Sequence, residues 1–173
     1  MRYIPVQHSG NRSDSPEEAD AIAALVGSLL AGDPWWTDRH GKRQRVGIDD
    51  IVIVAPYNDQ VGEIARRLHG ARVGTVDKFQ GQQAAVSIYS MASSSPADAP
   101  RGMEFLYSLN RLNVATSRAR CLTVLVASPE LIRARCRTPR QMQLANALCR
   151  LVEMAGATSS FGSSSSTSVP SSG

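Results

Sequence analysis

Apolar residues fall along this chain in two alternating rhythms. Runs of strand length occur at 2–8 (RYIPVQH), 50–56 (DIVIVAP), 72–76 (RVGTV), 84–92 (AAVSIYSMA) and 121–128 (CLTVLVAS). The run at 50–56 is almost continuously apolar, as a strand of a parallel sheet covered on both faces must be. Between the runs lie segments with helical spacing. The stretch at 15–32 (SPEEADAIAALVGSLLAG) opens with Ser15 as N-cap, Pro16 at the first helical position and Glu18 completing an S-x-x-E capping box, and Gly32 closes it. Residues 57–70 place Val61, Ile64, Ala65 and Leu68 on one face and stop at Gly70, and 104–120 and 138–156 read as further helices. Repeated strand and helix predict an α/β layered domain with a mainly parallel sheet flanked by helices.

Two segments break the rhythm. Residues 33–50 (DPWWTDRHGKRQRVGIDD) are turn-rich and basic, so Lys42, Arg43 and Arg45 are expected in a solvated loop. Residues 156–173 are dominated by serine and have almost nothing to bury, which predicts a disordered tail behind a domain at 1–155.

Composition adds bounds. At 173 residues and 42% hydrophobic content the chain can bury one core. A net charge of +4 suits a phosphate-bearing partner without requiring one. Cys121, Cys136 and Cys149 are far apart and show no C-x-x-C pairing, so no disulfide framework and no metal site are expected. No stretch reaches the roughly 18–20 apolar residues of a membrane span, and the N-terminus lacks a signal-peptide core, so a cytoplasmic location with no membrane partner is expected.

Chemistry concentrates where polar residues interrupt buried runs. The knot DKFQGQQ at 77–83 is expected at the carboxyl ends of the strands, where open α/β sheets bind ligands. There Gly81 permits close backbone approach, and Gln80 and Gln83 offer donors and acceptors to a nucleotide or a chain of phosphates; a plain polar turn is the alternative. A second intrusion, NRLNVATSRAR at 110–120, places Arg111, Arg118 and Arg120 on a predicted helix whose other face carries Leu112, Val114 and Ala115. Arginine's fixed, permanently charged fork suits a phosphate undergoing transfer, and a solvated helix face is again the alternative.

Taken in order, IVAPYNDQV (53–61), VGTVDKFQGQ (73–82) and NRLNVATSRAR (110–120) resemble motifs IV, V and VI of superfamily 1 helicases. The nearest branch is that of the nonsense-mediated-decay helicase and the replication helicase-nuclease. The resemblance implies the second, C-terminal RecA-like domain of an ATP-dependent motor: a P-loop NTPase fold without its own P-loop. It implies that Arg118 reaches the γ-phosphate, with Gln80, Gly81, Gln83 and Arg120 at the nucleotide. Tyr57, Asn58, Thr75 and Asp77 then face single-stranded nucleic acid, with DNA favoured over RNA.

Two departures bound the inference. Where the family usually carries glutamate for the ribose, this chain has Gln83, whose amide still hydrogen-bonds a hydroxyl. No G-x-x-x-x-G-K-[ST] and no acidic pair after an apolar strand occur, so the chain alone is expected to hydrolyse no ATP. ATP and Mg²⁺ would be shared with a missing N-terminal RecA-like domain, the chain being a fragment or a half that works with another polypeptide. The alternative is a non-catalytic nucleic-acid or protein-binding module derived from a helicase half.

Overall fold

The computed structural model describes residues 1–79 and 81–159. Its centre is a five-stranded, wholly parallel sheet. In chain order the strands are β1 (Arg2–Pro5), β4 (Ile51–Ala55), β5 (Arg72–Thr75), β6 (Ala84–Ser90) and β7 (Ala119–Ala127), with β2 (Trp35–Thr37) and β3 (Arg43–Arg45) forming a separate antiparallel hairpin. Their order in space is β1-β7-β6-β4-β5. The helices are α1 (Pro16–Ala31), α2 (Asn58–Arg67), α3 (Gly102–Leu106), α4 (Leu109–Ser117) and α5 (Pro139–Ser159).

Period-2 alternation sends successive side chains to opposite faces and so divides the core in two. Ile51 and Ile53 of β4, with Ile88, Val124 and Val126, pack against Ala19, Ile22 and Val26 of α1 and Ile64 of α2. Val52 and Val54, with Tyr89 and Leu125, pack against Leu106, Leu112, Leu144 and Leu148 of α3, α4 and α5. Every residue of β4 and β6 is buried, which accounts for the continuous apolar run at 50–56. The architecture is the α/β arrangement that the pattern predicts, a mainly parallel sheet between two helical layers, and it is RecA-like, as the motif resemblance implies.

Five local expectations are corrected. The basic segment 33–50 is not an open loop: Trp35 pairs with Arg45 and Thr37 with Arg43, and the guanidinium groups of Arg43 and Arg45 lie 4.9 and 5.3 Å from the Trp35 ring. Ser15 does cap α1, accepting from the Glu18 N–H at 3.1 Å, but the Glu18 carboxylate turns inward and the capping box is left half-made. The predicted helix at 104–120 is two helices, because buried Tyr107 is tethered to the Leu131 carbonyl at 2.6 Å and the chain turns at Ser108 before α4. The strand β7 then begins at Ala119, so Arg120 sits on a strand and not on the helix with Arg111. Finally, α5 continues to Ser159, so residues 156–159 extend a helix, and residues 160–173 of the expected tail lie outside the described residues.

Candidate functional site: two ends of one sheet

Because all five strands run the same way, the sheet has one carboxyl edge and one amino edge, and the predicted residues divide between them. At the carboxyl edge, Tyr57 and Asn58 follow β4, and Thr75 and Asp77 close β5. They line one pocket of about 390 Å³ together with Pro56, Asp59, Arg101, Phe105 and Arg111. The Tyr57 and Phe105 rings stack with centroids 5.6 Å apart and planes inclined by 28°. Two guanidinium groups flank Phe105, that of Arg101 at 4.0 Å and that of Arg111 at 3.9 Å from the ring centroid. Each is a cation–π contact that fixes a charged fork at the pocket rim. Burial pushes the Tyr57 phenol above its usual range, opposed by the charges of Arg101 and Arg111. Asp59 and Asp77 bring two carboxylates to the same pocket, so its formal charge is balanced.

Sequence reasoning found the polar half of this pocket and missed the aromatic-cation half. Phe105 and Arg101 belong to α3 and the turn before it, where nothing in the local spacing distinguishes them from a capping and core pair. Arg111 stood among the predicted helical arginines and proves to be the one on the carboxyl edge.

The segment from Val76 to Gln83 crosses from this edge to the other. Gly74 makes the start of the crossing possible: a Cβ there would lie 2.4 Å from Cδ of Lys78 and 3.1 Å from Cε2 of Phe79. The Lys78 ammonium donates to the Val73 carbonyl at 2.8 Å, and Val76 and Phe79 are buried. Only the beginning of the knot therefore lies at the carboxyl ends. Gly81, at φ +82, and Gln83 lie just before β6, at the amino edge. Gln80 lies outside the described residues.

At the amino edge, Arg118 caps the C-terminus of α4 and its carbonyl accepts from Ala84 N–H at 3.0 Å, tying the two segments together. Its Nε is buried and has no hydrogen-bond partner among the described residues. Arg120 donates from Nε to Gln83 Oε1 at 3.2 Å, and its guanidinium lies 5.8 Å from the Trp36 ring centroid. Gln83 and Arg120 line a pocket of about 430 Å³ with Ala119 and the hairpin residues Trp36, Thr37, Asp38 and Arg39. Arg118 is not among that pocket's lining residues. The indole Nε1 of Trp36, which is buried, is a second donor with no partner among the described residues. Unpaired buried donors cost about 1–3 kcal/mol each. The Asp38 carboxyl is held below its ordinary range by the backbone N–H of Lys42 and also by that of His40, and so stabilises the hairpin turn at Gly41.

Glu18, read in the sequence as a capping residue, organises a buried network near the carboxyl edge. Its Oε2 accepts from the Ser90 hydroxyl at 2.5 Å and from the backbone N–H groups of Met91 and Ala92 at 3.0 Å each, and its Oε1 lies 3.1 Å from His8 Nε2. The other ring nitrogen of His8 lies 2.8 Å from Ser94 Oγ. Gln60, fully buried, accepts from the Ser15 N–H at 2.6 Å and donates to Ser90 Oγ at 2.9 Å. No group of His, Cys, Asp and Glu side chains among the described residues could hold a metal ion. No helix among them is long and apolar enough to cross a membrane.

A profile of the AAA domain family matches residues 6–130. Three curated proteins illustrate what the chain is similar to. A Drosophila melanogaster protein named "Probable RNA helicase armi" is 33% identical over 99 residues, which is 52% of this chain and 8% of the relative. The Danio rerio "Putative helicase mov-10-B.2" is 33% identical over 105 residues, covering 51% of this chain and 10% of its own length. The Arabidopsis thaliana "DNA replication ATP-dependent helicase/nuclease JHS1" is 29% identical over 140 residues, 79% of this chain and 9% of its own. The chain thus spans no more than 10% of the length of any of these three relatives.

Proposed function

The chain belongs to the AAA domain family, and from that premise we propose that it is the C-terminal, second RecA-like motor domain of an ATP-dependent superfamily 1 helicase. Its similarity to proteins named as helicases supports a helicase-derived domain. The observation that carries the finer reading is Arg118. A charged side chain with a buried, unpartnered Nε at a helix end is unfavourable by itself and is relieved by an anion.

The donor set at the amino edge fits the phosphate and sugar portions of a nucleotide and offers nothing to a metal. Bound ATP with Mg²⁺ would supply the phosphoanhydride whose cleavage drives the motor, the phosphate-cradling loop and metal ligands belonging to a first RecA-like domain. Arg118 stabilises charge developing on the terminal phosphate. The Gln83 amide accepts from or donates to a ribose hydroxyl, and Arg120 holds that amide in place. Gly81, at positive φ, leaves its backbone N–H free of side-chain crowding for close approach.

At the carboxyl edge, Tyr57, Asn58, Thr75 and Asp77 meet single-stranded nucleic acid, and Arg101 and Arg111 supply charge for its phosphates. Hydroxyl, amide and guanidinium contacts of this kind grip a backbone without reading sequence. DNA is the strand favoured in this reading, after the relative named for DNA replication, and RNA is the alternative, after armi, which is named an RNA helicase.

The test is Arg118→Ala in a full-length enzyme carrying this domain, with the isolated chain as a blank that turns over no ATP. An arginine in this role contributes about 10³ to 10⁵ in turnover. The loss is expected in kcat, with a smaller effect on nucleotide affinity, and Arg118→Lys is expected to rescue poorly because a point charge does not reproduce the planar fork. Near-normal kcat in a folded Arg118→Ala enzyme would refute the assignment.

A further inference from the structure

The largest pocket described lies on the same carboxyl edge as the candidate nucleic-acid pocket, and no role has been given to it. It has a volume of about 550 Å³ and is bounded by Ser95 and Met103 on one side and by Arg133, Arg135 and Arg137 on the other. The two pockets flank a single turn: Arg101 lines the first and Met103 the second. The edge therefore carries two separate pockets, one beside β4 and β5 and one between the loop after β6 and the segment that follows β7.

That segment, residues 132–137, is built to present charge. Its burial alternates: Ile132, Ala134 and Cys136 are partly buried, with Ala134 and Cys136 packed on the core, while Arg133, Arg135 and Arg137 are exposed. Residues 132 and 133 form a turn and 134–137 have no regular secondary structure, so it is the alternating burial that turns the three guanidinium groups outward together. The segment is anchored: Leu131 is fully buried, and its carbonyl accepts from the buried Tyr107 hydroxyl at 2.6 Å. At its far end the Arg137 N–H donates to Gln141 Oε1 at 2.8 Å. Glu130 is the one acid lining the pocket, and it pairs with Arg133 at 3.3 Å. Arg135 and Arg137 have no acidic partner among the described residues. This pocket therefore carries an excess of positive charge, unlike the balanced pocket beside it.

We propose that Arg133, Arg135 and Arg137 form a phosphate track that extends the path of single-stranded nucleic acid beyond the Tyr57–Phe105 pocket, toward the edge strand β1. The proposal rests on the reading of the carboxyl edge as the nucleic-acid surface. A strand long enough to leave the first pocket meets the track, and a short one does not.

The experiment is fluorescence anisotropy of the chain with oligothymidylates of about 5 and about 16 nucleotides, bracketing the site sizes found on compact single-strand-binding folds, each titrated across NaCl concentration. The triple variant Arg133→Ala, Arg135→Ala, Arg137→Ala is compared with Arg111→Ala, and retained folding is checked by thermal melting. Each phosphate contact contributes about 0.7 to the slope of log K against log salt for a single strand. The triple variant is expected to lower that slope by about 2 on the long strand and to leave binding of the short one unchanged. The corresponding triple lysine variant is expected to keep most of the slope, and Arg111→Ala to weaken both lengths. Equal slopes for the wild type and the triple alanine variant on the long strand overturn the track. Displacement of the long strand by polyglutamate at equal charge concentration also overturns it, in favour of an acidic protein partner. If Arg111→Ala changes neither length, the reading of the first pocket fails, and that result is distinct from failure of the track.

Discussion

Replacing Glu18 with alanine removes the acceptor shared by four donors in a site that water does not reach. Glu18 and the side chains of Glu18 and His8 are fully buried. The His8 ring bridges the two sides of this network, with Nε2 toward the Glu18 carboxylate and Nδ1 toward the Ser94 hydroxyl, whose oxygen accepts from the Asn11 N–H at 2.9 Å. In Glu18→Ala the Met91 and Ala92 amides, the Ser90 hydroxyl and the His8 ring lose their acceptor together. One buried donor left unpaired costs about 1–3 kcal/mol, so four left together cost about 4 kcal/mol at the low end of that range. Ala92 raises the stakes, because its φ of 65° lies in the left-handed region and is held there by the Glu18 contact to its N–H. Against a total stability of about 5–15 kcal/mol, a loss near 4 kcal/mol moves the urea midpoint by about 2 M at a slope of roughly 2 kcal/mol per molar. Glu18→Gln keeps a carbonyl oxygen for the two amides and is expected to lose less than half as much. The measurement is equilibrium urea unfolding followed by circular dichroism. An alanine variant within about 1 kcal/mol of wild type, or a glutamine variant as damaged as alanine, would refute the account of Glu18 as the clasp of the carboxyl edge.

Further expectations follow from the crossing segment and from the buried phenols. Gly74→Val would drive a side chain into Lys78 and Phe79, so a loss of about 1–3 kcal/mol from overpacking and weaker oligonucleotide binding are expected. Adding Lys78→Ala should restore part of both, as thermal melting and anisotropy would record. Burial raises Tyr3 to about 12 and pushes Tyr89 and Tyr107 up as well, against an unfolded value of 10.0. A raised acid is protonated and neutral in the native state, so its contribution is complete below pH 10. It is lost as pH rises through the folded values, by up to about 1.4 kcal/mol per pH unit for each phenol. Unfolding free energy measured from pH 9 to 12 should therefore fall above about 10, less steeply in Tyr107→Phe, and a flat profile would contradict the burial.

Much of this architecture was legible because burial imposes period. Strands β4 and β6 are buried on both faces and read as continuous apolar runs, and α1 and α2 announce themselves by N-cap and spacing. What was not legible depends on contacts remote in sequence. The break between α3 and α4 follows from a tether between residues 107 and 131, and nothing at 104–120 signals it. Glu18 satisfies the local rule for a capping box, yet donors more than seventy positions away win its carboxylate. The hairpin at 35–45 has too few apolar residues to read as strands, and it forms because Trp36 is buried against the sheet face while arginines cover Trp35. Likewise, motif resemblance picks out Arg118, Gln83 and Tyr57, but which edge each occupies depends on strand direction. The pairing of Phe105 with Arg101 and Arg111 depends on the turn at Ser108.

Two short elements connect the amino and carboxyl edges, and each carries candidate residues at both ends. The segment 76–83 begins with Asp77 in the carboxyl-edge pocket and ends with Gln83 beside Arg120. Helix α4 begins near Arg111 and ends at Arg118, about 10 Å away at 1.5 Å per residue. The two elements lie side by side, since Val76 and Asp77 share a pocket with Asn110, Arg111 and Asn113. Both are fastened to the same core through Val76, Phe79 and Leu112. Close-packed interiors respond to a push by shifting as units rather than by absorbing it locally. Helix α4 and segment 76–83 therefore join the two candidate sites through one packed core. The polar knot that interrupts two buried strands is the stretch of backbone that runs from the carboxyl-edge pocket to the amino edge. Its polarity follows from having to emerge at both edges, and its buried Val76 and Phe79 fasten its first half to the core.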